Sequence, residues 1–211
     1  MHAESVNRTM PEADALIQRA QLGDAQSFNQ LTNLWYKRIY NYVLKQCSDS
    51  DLTADITQRT FISVYKNLVK LKEIDRFKPW IYRIATNYCY EEGRKKMKRA
   101  VISQPLQQTH GDDEGGNELD GEAKELHFNP ERSYQQLELE KILFECLQDL
   151  SEDQRTVIIM KEYEGMKFIE IAEVLDVYEN TIKTRLYRGL KLLKDRLDER
   201  NITKETIHYE L

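Results

Sequence analysis

Three sets of side chains in this chain of 211 residues have the types and spacing to do chemistry. The first runs along 180–188: Asn180, Thr181, Lys183, Thr184, Arg185 and Arg188. Lys183, Arg185 and Arg188 suit phosphates or guanine edges, whereas Asn180, Thr181 and Thr184 are short enough to reach base edges from a helix start. The second set spans 83–99. Arg83, Asn87, Tyr90, Glu91 and Arg94 recur at helical spacing, and Arg94–Arg99 carries five positive charges in six residues. The aromatic rings of Trp80, Tyr82 and Tyr90 beside Lys95 and Lys98 suit unpaired bases, which stack on rings while cations hold the backbone. The third set, Asp51, Asp55, Gln58, Arg59 and Ile62, forms a polar helix face that also carries an isoleucine.

Catalysis finds no support in these sets. The carboxylates of the third have no companion histidine, no glycine-rich phosphate loop occurs, and no metal-ligand spacing is present. The four histidines, His2, His110, His127 and His208, fall in the terminal or middle segments. Three widely spaced cysteines, Cys47, Cys89 and Cys146, read as reduced, mostly buried thiols. No catalytic residue, metal or cofactor is expected.

The elements that position these sets are helices. With 8 glycines and 4 prolines the chain lacks the turns an all-β fold needs. Leu16 and Ala20 belong to a helix that Gly23 ends, and Asp24 caps the next. Phe28, Leu31, Trp35, Ile39, Tyr42 and Val43 mark a long amphipathic helix ending near Cys47. A third starts near Asp51 and buries Ile56, Thr57, Thr60, Phe61, Val64 and Leu68. A fourth opens at Lys78–Pro79 and turns Phe77, Ile81, Ile84, Ala85 and Tyr88 inward. Further on, a pattern from about Arg132 to Leu150 precedes a Ser151/Gln154 capping box and a helix stopping near Gly165. Phe168–Leu175, the turn Asp176–Tyr178 and a helix from about Glu179 to Leu197 then give a helix-turn-helix.

Charge divides the chain the same way. Residues 1–100 hold 17 Lys+Arg against 11 Asp+Glu, residues 101–130 hold 1 against 7, and residues 131–211 hold 13 against 18. The middle piece also takes four of the eight glycines and reads as a tether. The expected architecture is all-α: a domain over 12–99, a flexible acidic linker over 100–131 and a helix-turn-helix domain over 132–200. Within the acidic third piece, residues 183–196 carry six basic side chains and one acidic one, a positive face suited to a groove. No apolar run is long enough to span a membrane and the first residues lack the order of a signal peptide, so the expected location is the cytoplasm.

Four motifs in order carry a family likeness: Asp55–Phe61, Phe77–Asn87, Leu150–Arg155 and Thr181–Gly189. Together they resemble the extracytoplasmic-function class of bacterial RNA polymerase sigma factors. The resemblance implies that the face of Asp51, Asp55, Gln58, Arg59 and Ile62 docks on the clamp helices of core RNA polymerase. It implies that the Trp80–Arg99 helix melts and reads the minus-ten element, that the linker threads toward the RNA exit path, and that the C-terminal domain reads the minus-thirty-five element of promoter DNA. An anti-sigma factor is a further partner it suggests. Arg59 stands where the family mostly has an acidic residue, Glu91 replaces a usual Asp, Gly93 a larger residue, and Asp176 a turn glycine. Tyr178 and Asn180 stand at the usual Pro and Gly. The rival readings are a helix-turn-helix repressor or activator acting alone on duplex DNA, against which the short tail 201–211 argues, and a helical interaction protein without a DNA role.

Overall fold

The computed structural model describes residues 10–102, 134–200 and 202. Among these there is no strand. The first four helices are α1 (Met10–Gln21), α2 (Ala25–Cys47), α3 (Ser50–Asn67) and α4 (Phe77–Ile102), with two short 3-10 turns between α3 and α4. After the gap come α5 (Tyr134–Gln148), α6 (Glu152–Ile158), which runs on as a π-helical turn over Ile159–Tyr163, α7 (Phe168–Leu175) and α8 (Glu179–Glu199). The predicted linker lies outside the described residues except for 100–102, which extend α4 by three residues.

Local chemistry sets the helix ends. Asp24 accepts from the Gln26 N–H at 3.0 Å, occupying a donor that the first turn of α2 leaves without a partner, and also from the Ser27 hydroxyl at 2.5 Å. Asp49 does the same for α3 through Leu52 N–H at 2.8 Å. Ser151 caps α6 by accepting from Gln154 N–H. Asp176 ends α7 at φ 54°, ψ 47°, the left-handed conformation a turn glycine would supply and an Asp tolerates.

In the first domain, Leu31, Trp35, Ile39, Tyr42 and Val43 of α2 pack on Ile56, Phe61 and Val64 of α3 and on Phe77, Ile81 and Ala85 of α4. In the second, α8 lays Ile182, Leu186 and Leu193 against Val157, Ile158 and Ile171. Gly189 lets α6 and α8 approach closely. A Cβ there would lie 2.9 Å from Ile158 Cδ1 and 3.2 Å from Gln154 Cβ.

The two domains are docked, which the periodicities do not announce. Tyr82, grouped by sequence with Trp80 and Tyr90 as a ring for unpaired bases, is fully buried, edge-on to Tyr42 with ring centroids 5.0 Å apart. Its hydroxyl donates to Glu164, in the loop after the π turn. Lys78 Nζ reaches the Glu164 carbonyl at 2.9 Å, and Gln148 Nε2 reaches the Lys45 carbonyl at 2.9 Å. Within the seam, Thr156 donates to Gln46 at 3.2 Å, Gln46 to the Tyr42 hydroxyl at 3.3 Å, and Tyr42 pairs with Thr86 at 2.7 Å. This buried polar chain ties α6 to α2 and α4.

Gly189→Ala should lower the urea-unfolding free energy by about 1–3 kcal/mol through overpacking of the α6–α8 crossing, read by circular dichroism.

Candidate nucleic-acid and polymerase interfaces

Along α8 the outward set forms a row. Asn180, Thr184, Arg188 and Lys191 are exposed and Thr181 is half-buried, with Ile182 and Leu186 on the opposite side fixing the orientation. Thr184 donates its hydroxyl to the Asn180 carbonyl at 2.9 Å, an i to i−4 bond. Lys183 pairs with Glu179 at 2.7 Å and lies over the Phe168 ring. Arg185 turns back toward α6 and pairs with Asp153 at 2.7 Å.

On α4, Arg83, Asn87, Arg94, Lys95 and Lys98 are exposed as the spacing predicts. Two neighbours are not. Tyr90 is half-buried against the second domain, its hydroxyl donating to Asp153 at 3.3 Å, and burial first of all pushes its phenol up to about 12. The outward reading of Tyr90 fails here because α4 buries a second face. Glu91 is also half-buried, 3.2 Å from Arg59 and 2.7 Å from Lys95. Asp153 therefore holds one side chain from each predicted DNA-binding set, Tyr90 of α4 and Arg185 of α8.

The third set lies on α3. Asp51, Asp55 and Gln58 are exposed, and Ile62 is 47% exposed. Arg59 is drawn inward, with its guanidinium 2.9 Å from Glu92, 3.4 Å from Asp55 and 4.4 Å from the Tyr88 ring. Hydrogen bonds from Lys95 and then Arg59 hold the Glu92 carboxyl below its ordinary range. The cation is thus spent on three carboxylates, and the face stays acidic despite it. Beside Gln58 and Ile62 a groove of about 510 Å³ runs between α2 and α3, with Phe28, Tyr36 and Tyr65 on its walls. Tyr36 and Tyr65 are exposed aromatic rings that sequence reasoning passed over, although their positions off the α2 and α3 core stripes mark them.

The seam residues were also missed. Burial pushes the Glu164 carboxyl above its ordinary value, against the Tyr82 hydrogen bond and the charges of Lys45 and Lys78. Burial likewise lowers Lys45 and Lys78. Among the described residues no group of three or more His, Cys, Asp or Glu could hold a metal, and no helix is long and apolar enough to cross a membrane.

The chain matches the Sigma-70 region 2 family over residues 31–99 and the Sigma-70 region 4 family over residues 140–193. It is 27% identical over 187 residues to the ECF RNA polymerase sigma-E factor of Haemophilus influenzae, covering 87% of this chain and 94% of that one. It is 28% identical to the sigma-E factor of Escherichia coli K12, over 86% of this chain and 92% of the relative. Among solved structures, CnrH in complex with the cytosolic domain of CnrY superposes with a TM-score of 0.62 at 20% identity, over 89% and 97% of the two chains. The sigma factor RpoE bound to the anti-sigma factor NepR from Bartonella quintana gives 0.61 at 20% identity, over 82% and 98%.

Because Glu164 takes a proton more readily when docked than when exposed, its contribution to stability grows as pH falls through the raised value and weakens above it. Relative to Glu164→Gln, which keeps an acceptor for Tyr82 but does not titrate, the wild-type chain should gain urea stability from about pH 8 to about pH 5. Paired titrations cancel carboxylates common to both chains, including Glu91 and Glu92. With both regions matched in order and the helix-turn-helix in place, the chain belongs to the extracytoplasmic-function class of the sigma-70 family, the factors that confer promoter-specific initiation on RNA polymerase.

Proposed function

We propose that this sigma factor divides its work among the three sets, and that the docked form is the one not engaged with a promoter. The acidic face of Asp51, Asp55 and Gln58, with Arg59 as its internal tie, lies beside the Ile62 and Tyr36 groove and docks core polymerase. Apolar side chains at the centre with charges at the rim are the anatomy of a protein interface. Arg83, Asn87, Arg94, Lys95 and Lys98, with Tyr90 and Glu91 once released, engage the minus-ten element. Asn180, Thr181, Lys183, Thr184, Arg185 and Arg188 engage the minus-thirty-five element. The protein supplies binding and positioning, and the polymerase supplies the chemistry.

The carrying observation is Asp153, which holds Tyr90 and Arg185 at 3.3 Å and 2.7 Å. In the docked form these two predicted DNA-contacting side chains meet on one carboxylate. On B-form DNA their targets lie about 25 base pairs apart, roughly 85 Å at ~3.4 Å per pair. Both elements can be held at once only if the domains separate, so promoter engagement requires the seam to open. A repressor reading one duplex site with α8 alone would need no such opening.

Permanganate footprinting on a linear promoter tests the α4 assignment. Asn87→Ala should retain core binding and upstream duplex binding but lose open-complex signal, and a pre-melted template should restore initiation in part because base capture no longer has to offset unstacking. For α8, Arg188→Ala should reduce the logarithmic salt slope of promoter binding by about one, whereas Thr184→Ala should alter sequence preference at nearly unchanged slope. Equal losses independent of salt for both would reduce them to supports of the fold.

A further inference from the structure

The second domain meets the α4 side of the first through polar contacts that run one way, from a donor of the first domain to an oxygen of the second. Arg76, just ahead of α4, reaches Glu173 of α7 at 3.0 Å. Lys78 reaches the Glu164 carbonyl at 2.9 Å, Tyr82 donates to the Glu164 carboxyl, and Tyr90 donates to Asp153 at 3.3 Å. Glu152 lies on Gly93, where a Cβ would sit 2.9 Å from its Oε1. Arginine, lysine and tyrosine are side chains that hold phosphates. Here each takes a carboxylate or carbonyl oxygen instead. From Lys78 to Gly93 the acidic row covers about 22 Å of helix, from the α-helical rise.

This row borders the set assigned to the minus-ten element. At about 100° per residue, Lys78, Tyr82, Tyr90 and Gly93 fall on one strip of α4, and Arg83, Asn87, Arg94 and Lys98 on the strip next to it. A helix is about 10–12 Å across, so carboxylates on the first strip stand near a Debye length from phosphates held by the second. Glu173 also borders a hollow of about 450 Å³ lined by Lys70, Lys72, Arg76 and Arg83, with Trp80 on its wall and Glu73 offsetting part of the charge. The acidity of residues 131–211, 13 Lys+Arg against 18 Asp+Glu, then has a physical consequence. Basic side chains gather along α8, and carboxylates of α6, α7 and the loop between them face α4.

We propose that the second domain is a built-in surrogate for nucleic acid: Glu152, Asp153, Glu164 and Glu173 occupy the donor side of α4 and exclude single-stranded DNA until that domain is drawn away. The inference rests on the reading of α4 as the helix that engages the minus-ten strand, and it adds what holds the strand off beforehand. Docked carboxylates and a bound strand repel each other, so each lowers the other's occupancy by the same factor. A generic single strand therefore competes with docking, whatever its sequence.

The test titrates a short, labelled, mixed-sequence single-stranded oligonucleotide with the full chain, without polymerase, and reads fluorescence anisotropy. Asp153→Asn combined with Glu173→Gln should bind it about three- to tenfold more tightly than the wild type, because the share of open chain sets the apparent affinity. Small-angle scattering of that free variant should show a larger radius of gyration. Glu138→Gln with Glu162→Gln, an equal change in net charge at exposed carboxylates outside the row, should stay within about twofold of the wild type. Adding Arg83→Ala and Lys98→Ala to the tighter variant should remove its gain, which a strand held on α8 by the released Arg185 would not do. Equal tightening by both carboxylate pairs, or none by the row pair, would overturn the surrogate. If no form binds the strand while scattering shows the row variant opened, the reading of α4 fails and the surrogate with it. Should the pair fail to fold, Glu173→Gln alone, at a partly exposed carboxylate, should give part of the gain, and its absence would overturn the proposal.

Discussion

The hydroxyl of a fully buried tyrosine must find an acceptor, and for Tyr82 that acceptor is Glu164 in the other domain. This requirement organises the molecule. It makes α4 a helix with two buried faces, one packing Phe77, Ile81 and Ala85 into its own domain and the other turning Tyr82 and Tyr90 to the second. It fixes how far the π turn must carry Glu164 forward, and with it where α6 presents Asp153, Thr156 and Arg155. The α8 row keeps its place through Ile182 and Leu186, and its Arg185 pairs with Asp153.

The character of that seam suits a joint that opens. Gln46, Thr156, Glu164, Lys45 and Lys78 contribute polar groups that water can satisfy when the domains part, so separation does not strand them. Interfaces of this polarity within one chain favour relative domain motion over permanent fusion. Buried charge adds to the tendency: Glu164, Lys45 and Lys78 each have their ionised form disfavoured by burial, a cost recovered on exposure. The apolar contacts and the Thr156–Gln46–Tyr42–Thr86 chain pull the other way and give the docked form its specificity.

Much of this was legible in residue order. The α2 stripe Leu31, Trp35, Ile39, Tyr42 and Val43 and the α3 stripe Ile56, Thr57, Thr60, Phe61 and Val64 are buried as their spacing requires, and the helix-turn-helix boundaries follow from Leu175, Asp176 and Glu179. Docking was not legible, for physical reasons. A helical wheel assigns one inward face, and Tyr82 falls outside the one set by Phe77 and Ile81. The distribution of apolar residues around α4 from Phe77 to Cys89 was the available signal, since a helix apolar on several sides is covered on several sides. Gln46 and Thr156 lie 110 positions apart and no periodicity links them. The π turn shifts register after Ile158, so an α-helical count misplaces Glu164.

The central claim is that one chain holds its two DNA-reading helices together at rest and apart on a promoter. Distances between spectroscopic labels at exposed Lys66 on α3 and Lys194 on α8, in the free protein and then in complex with core polymerase and promoter DNA, test it directly. The account predicts a single short distance for the free chain and a lengthening by several tens of ångströms in the complex, as elements roughly 85 Å apart demand. The same short distance in both states, with initiation intact, would contradict it.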